Sequence, residues 1–280
     1  MKELNNKELR QLQEVELEIL IEFDRICKKN NIDYSLCGGT LIGAVRHKGF
    51  IPWDDDIDVN MLRKDYDKFV KIVNKDLDKK RFFFQSMETD SSYGFPIAKL
   101  KRKDSLYVES SSTRDEEEQN IWIDIFPLDN IKSDNIFGKL YYFRIYALKI
   151  ILAYKDGFVN SVDTKKKKIF LLITKILSFF YNRNRLFKKI QELMRKYNNI
   201  DTKYLASFGG VYLPKEITKK RLSEKTMYAE FENHKFRIIT QYDEYLRHYY
   251  GDYMKLPPEE KRKGHHYCKK IKFPKKDSKN

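Results

Sequence analysis

The chain has 280 residues, of which 41% are hydrophobic and 14% aromatic, with only 11 Gly and 7 Pro. That composition supports a sizeable buried core and excludes disordered, low-complexity and fibrous classes. The net charge of +15 is uneven: residues 161–196 carry +9 and residues 255–280 carry +7, so the rest of the chain is close to neutral. Such basic regions suit nucleic acid, anionic lipid or a phosphate-rich ligand, with a plain solvated Lys-rich face as the alternative.

Asn5 or Asn6 caps a helix expected to run to about Lys29, because Leu9, Leu12, Val15, Ile19, Phe23 and Ile26 recur at three- and four-residue steps. Asn30-Asn31 ends it, and Ile32, Tyr34 and Leu36 alternate as a strand entering Gly38-Gly39. Thr40 caps a short helix predicted over Leu41–Arg46, and Gly49 and Pro52 turn the chain. Asp56–Met61 alternates polar and apolar residues, which predicts a strand with Asp56 and Asp58 on one face and Ile57 and Val59 on the other. By the same alternation Asp55 points away.

A helix is expected over Arg63–Leu77, then strands over Arg81–Gln85, Phe95–Lys101 and Leu106–Glu109, and an acidic loop over Arg114–Gln119. Ile121–Phe126 reads as an apolar strand ended by Pro127 and carrying one acid, Asp124. From Ile136 to about Asn198 the pattern is helical and rich in Tyr, Phe, Ile and Lys. Its first apolar face comprises Phe137, Leu140, Tyr141, Ile145, Leu148 and Ile151. Leu205–Val211 reads as a strand containing Gly209-Gly210, and Tyr242–Tyr249 as a helix before a Lys-rich tail.

Cys27, Cys37 and Cys268 form no CxxC pair, which favours a reducing, cytoplasmic setting over a disulfide framework. The N-terminal segment is charged and lacks a secretory pattern, and the longest apolar run, Ile169–Tyr181, is too short to span a bilayer. That run lies between Lys165–Lys168 and Arg183–Lys189, an arrangement that suits an anionic membrane surface; packing over the catalytic sheet is the alternative.

The chemistry concentrates in GGTLIGAVRHKGFIPWDDDIDV, residues 38–59. Asp54, Asp55, Asp56 and Asp58 repel one another in a half-buried setting unless a cation neutralises them, and hard carboxylate oxygens suit Mg²⁺ or Mn²⁺. Two acids two residues apart on one strand, with Asp124 on a neighbouring strand, form a set able to hold a divalent ion over phosphate oxygens. The Gly38-Gly39 turn offers backbone N–H groups to phosphate without side-chain obstruction, and Arg46, Lys99 and Lys101 offer positive charge. The aspartate run lacks the order of an EF-hand loop, and His265-His266 lack the partner spacing of a zinc site.

Together with WIDIFPLD and YGDYMKLPPEEKRKGHH, this segment resembles the LicD family of phosphotransferases, whose relatives include the fukutin-related ribitol-phosphate transferases. The motifs span residues 34–267. The resemblance implies an α/β (α+β) fold: a nucleotidyltransferase-like mixed sheet flanked by helices, with a basic helical insertion. The change of character from Ile136 puts the catalytic core at 1–131, a basic, apolar helical region at 132–200 and a part completing the site, with a basic tail, at 201–280. The resemblance also implies Asp56, Asp58 and Asp124 as metal ligands with Asp54 beside them. Gly38, Gly39, Thr40 and Arg46 would hold the nucleotide diphosphate, with Lys99 and His265 near the phosphates. The implied reaction is Mg²⁺-dependent transfer of phosphocholine, or a related alcohol phosphate, from CDP-choline or another CDP-alcohol to a glycan hydroxyl, releasing CMP. The acceptor would be teichoic acid, lipopolysaccharide or capsule; a lipid-linked precursor at the inner face of the membrane would suit the apolar, basic middle region. Two alternatives stand beside it: a nucleotidyltransferase moving NMP from an NTP with release of pyrophosphate, and a non-catalytic basic binding module. No nucleic-acid-binding signature accompanies the charge.

Overall fold

A computed structural model describes residues 4–90, 93–109, 119–156, 165–210, 212, 214–264 and 268–275. Helix α1 (Asn6–Lys29) opens with a reciprocal cap between Asn5 and Glu8 and closes at Asn30, with Asn31 in the left-handed region (φ 48°). Its apolar stripe buries Leu12, Ile19, Leu20, Phe23 and Ile26 against the central sheet. Strand β1 (Ser35–Leu36) leads into α2 (Gly38–Ile42), which continues as a π-helical turn over Gly43–His47. The helix thus begins at Gly38, three residues before the expected start.

Strand β2 (Asp58–Leu62) follows, then α3 (Arg63–Asp76), β3 (Phe82–Gln85), β4 (Ala98–Arg102), β5 (Leu106–Glu109) and β6 (Trp122–Ile131). Apart from Gln119, the loop expected over Arg114–Gln119 lies outside the described residues. Helices α4 (Ile136–Lys155), α5 (Lys165–Phe179) and α6 (Arg183–Arg195) make up the middle region. Then come β7 (Tyr204–Ser207), β8 (Ile217–Lys219), β9 (Thr226–Phe231), β10 (His234–Ile239), α7 (Tyr242–Tyr250) and β11 (Cys268–Lys272).

The fold is α+β, with a seven-stranded mixed sheet flanked by helices. One path runs β1-β2-β6-β4-β3, and β7 joins β6 and carries β8. β2 and β6 are parallel, and the other pairs in this sheet are antiparallel. β6 extends through Pro127 rather than ending there. On one edge it pairs with β4 up to Ile125 and with β7 from Leu128, so Pro127 falls at the changeover between partners. A proline is tolerated where a ladder is interrupted. Part of the basic tail is ordered as β11, which pairs with β5.

Two apolar clusters result. One joins α1, α3, the sheet, the β9–β10 hairpin and α7; the other joins α4, α6 and β7. A buried two-pronged ion pair, Arg63 on Asp129 with both bonds at 2.7 Å, ties α3 to β6. Cys27, Cys37 and Cys268 are all buried.

Candidate active site

Strand register builds the centre of the site. Asp58 of β2 lies opposite Asp124 of β6, and Asp124 lies opposite Lys99 of β4. Residues paired across adjacent strands share a face, so these three side chains form one row. Ile57 and Val59 are fully buried on the other side, as alternation requires. β2 starts two residues later than expected, which leaves Asp56 on the approach to the strand; Asp56, Asp58, Asp124, Lys99 and Gly38 nevertheless line one cavity of about 690 Å³.

Each glycine of the turn fits closely against a carboxylate. Gly38 sits at φ +57°, and a Cβ there would lie 2.9 Å from Asp58 Oδ2; at Gly39 it would lie 2.6 Å from Asp54 Oδ2. Thr40 accepts the Asp58 amide through Oγ1 (2.9 Å), which fixes where β2 begins. Thr40, Gly39 and Asp54 are therefore packed behind the cavity rather than lining it. Arg46 also lies off the cavity wall: it donates to the Tyr253 carbonyl and, at 2.9 Å, to His47 Nε2. Burial lowers its pKa. Lys101, another candidate cation, is buried with its ammonium 5.3 Å from the Phe83 ring. His265 lies outside the described residues.

Asp54, Asp55 and Asp56 bring one oxygen each within 4.8 Å of one another. Asp55 does not line the cavity, yet it is buried in this cluster and packs against Gly264 rather than pointing to solvent. From α1, Gln13 donates to the Asp54 carbonyl (3.0 Å) and Glu16 faces the same acids. Burial, followed by the charges of Asp56, Asp55, Asp54 and Asp58, pushes the Glu16 carboxyl far above its usual range.

Among the described residues, two buried carboxylate oxygens accept no hydrogen bond, and both lie at this site: Glu16 Oε2 and Asp124 Oδ1. Lys99 Nζ lies 3.3 Å from Asp124 Oδ1, an ion pair without hydrogen-bond alignment, while the Lys99 ammonium sits 3.7 Å over the Trp122 ring and Trp122 Nε1 donates to Asp124 Oδ2 (3.1 Å). A buried carboxylate oxygen with no donor, in a row with a second acid and beside a crowded acidic cluster, fits a hard divalent cation.

Glu16, Asn60, Lys149 and Glu216 join the site without a motif in the sequence. Only Glu16 leaves a signal, an acid four residues after Leu12 and four before Leu20 on the buried stripe of α1. Asn60 follows Asp58 on the same strand face and donates to the Tyr245 hydroxyl (3.2 Å). Lys149 enters the cavity from α4, donates to the Phe208 carbonyl, and is pushed by burial down to about 8. Hence the middle region, which carries no legible motif, forms part of the cavity wall, as do Ser207, Tyr212, Glu216, Tyr249 and Tyr250.

The family profile described as "LicD/FKTN/FKRP, nucleotidyltransferase domain" matches residues 31–149. The chain is 34% identical over 267 residues to the lipopolysaccharide cholinephosphotransferase LicD of Haemophilus influenzae, covering 92% of this chain and 96% of that protein. Uncharacterized proteins of Rickettsia typhi (41% identical over 56 residues, 20% of this chain and 18% of theirs) and Rickettsia prowazekii (44% over 48 residues, 17% and 18%) match shorter stretches.

Proposed function

From its membership of the LicD family of phosphotransferases, to which this chain belongs, we propose that the protein moves phosphocholine from CDP-choline to a sugar hydroxyl of a surface glycan and releases CMP. The name of the Haemophilus relative supports lipopolysaccharide, or a glycan like it, as acceptor. The observation that carries the reading is the row Asp58–Asp124–Lys99 on one cavity wall, with one Asp124 oxygen accepting no hydrogen bond.

Asp56, Asp58 and Asp124 would hold Mg²⁺ or Mn²⁺, which when bound neutralises diphosphate charge and favours departure of CMP. The protein's own groups do the rest. Gly38, which lines the cavity with Asp58 packed against it, would offer its backbone N–H to a phosphate, and Lys99 and Lys149 present ammonium groups to the same cavity. The acceptor oxygen attacks the phosphorus that bears choline, the bond from that phosphorus to the CMP oxygen breaks, and the hydroxyl proton passes to a carboxylate. Asp124 suits that last role better than Asp54, because Asp124 opens on the cavity.

Purified protein incubated with CDP-choline, Mg²⁺ and a lipopolysaccharide acceptor is expected to release CMP, and Asp56→Ala or Asp58→Ala to slow it by about 10²–10³-fold or more. Full turnover in both variants would refute the assignment. Pyrophosphate from CTP in place of CMP would identify a nucleotidyltransferase instead.

A further inference from the structure

Four tyrosines from two stretches of sequence converge on the cavity wall: Tyr212, after β7, and Tyr245, Tyr249 and Tyr250 on α7. Tyr212 stands at 81° to both Tyr249 and Tyr250, with ring centres 6.2 and 5.7 Å away. The planes of Tyr249 and Tyr250 differ by 34°. Walls at near right angles therefore meet in an aromatic corner. Buried Glu216 accepts from the Tyr212 amide (2.9 Å) and the Tyr249 hydroxyl (3.2 Å), which fixes the corner and adds negative charge. The Gly209-Gly210 turn wraps so closely that a Cβ at Gly210 would lie 2.1 Å from Glu216 Cδ. After burial and a hydrogen bond with Tyr250, the charges of Asp56 and Asp58 are the next influences on the Tyr212 phenol, so the corner lies beside the acidic row.

A quaternary ammonium spreads its charge over methyl groups and has no N–H to donate. Ring faces and a nearby carboxylate hold it better than hydrogen-bond acceptors do. We propose that Tyr212, Tyr249 and Tyr250, closed by Glu216, form the subsite for the trimethylammonium head of the donor. This rests on the reading of the donor as CDP-choline. The corner selects that head over a primary ammonium or an uncharged polyol, while the acidic row takes the phosphate end.

Calorimetric titration of the full chain with CDP-choline, CDP-ethanolamine and CDP, in Mg²⁺, tests this. The wild type is expected to bind CDP-choline tighter than the other two. Tyr212→Leu and Tyr250→Leu are expected to lose about tenfold in CDP-choline affinity and nothing toward CDP, whereas Tyr212→Phe keeps both. Tyr212 is 45% exposed, so its replacement leaves the fold intact, and CDP binding reports on that fold. A preference for CDP-choline retained in both Leu variants overturns the subsite alone, as does an equal loss toward CDP. Loss in Tyr212→Phe equal to that in Tyr212→Leu assigns the effect to the hydroxyl and overturns the ring-face contact. A wild type that binds CDP-choline no tighter than CDP overturns the donor reading and the subsite with it.

Discussion

At the scale of single residues, Lys149 gives the cavity a dependence on pH. Burial disfavours its ammonium and brings its pKa to about 8, with Glu216 pulling weakly the other way. The group is cationic below that value and neutral above it, so attraction for a diphosphate falls as pH rises through about 8. Donor affinity measured from pH 6.5 to 9.5 is expected to drop across that point, and Lys149→Met to be weaker by about tenfold at low pH and flat across the range. An unchanged profile in the variant would remove Lys149 from the donor site. The contrast between Lys149 and Asp58 also shows what a sequence exposes. Asp58 and Asp124 stand out because an acid is anomalous in an apolar strand. Lys149 does not, because a lysine in a helix rich in Lys and Tyr is unremarkable until the helix is laid across the sheet.

At the scale of elements, periodicity locates α1, α3 and α7 to within a residue or two, since each has one buried face. It fails where a residue's neighbours are distant. Pro127 looks like a terminator, yet β6 passes through it at the exchange of one partner strand for another. The face expected on α4 divides: Ile145 and Ile151 are buried, while Phe137 and Leu140 are 75% and 57% exposed. The β9–β10 hairpin, with Glu232 and Asn233 at φ 50° and 61°, has no glycine in its turn to announce it. Its tip matters, because Glu232 accepts the Phe50 amide (3.2 Å) and Arg10 (2.7 Å), bracing the loop before the aspartates. In the Gly38-Gly39 turn the glycines answer to packing as much as to conformation. Gly38→Ala is expected to cost about 1–2 kcal/mol for its positive φ and to displace Asp58 as well. Thermal melts with and without Mg²⁺ would read this as a lower Tm and a smaller metal-induced rise. An unchanged rise would show that the Asp58 carboxylate tolerates the methyl group.

At the scale of the whole molecule, no helix among the described residues is long and apolar enough to cross a membrane. Helices α4 and α5 nonetheless expose Phe137, Leu140, Phe143, Ile173, Ile176 and Phe179, the turn after α5 exposes Phe180, and four lysines occupy 165–168 in the sequence. Such a surface suits an anionic bilayer, and α4 also lines the cavity, which would bring a lipid-linked acceptor to the site. Co-sedimentation with vesicles containing anionic phospholipid is expected to fall about tenfold or more in a Phe179→Ser, Phe180→Ser double variant and with added salt, while CDP-choline binding stays level. Vesicle binding equal to wild type would assign these side chains to another partner. Strand β6 serves two neighbours in turn. Its first half carries Asp124 beside β4, and its second half carries Asp129 beside β7. A chain cut at residue 131 would strip β7 from that second half and leave an open, adhesive edge. One strand thus splices the chemistry to the wall that frames it, and neither can be traded for another without redrawing both.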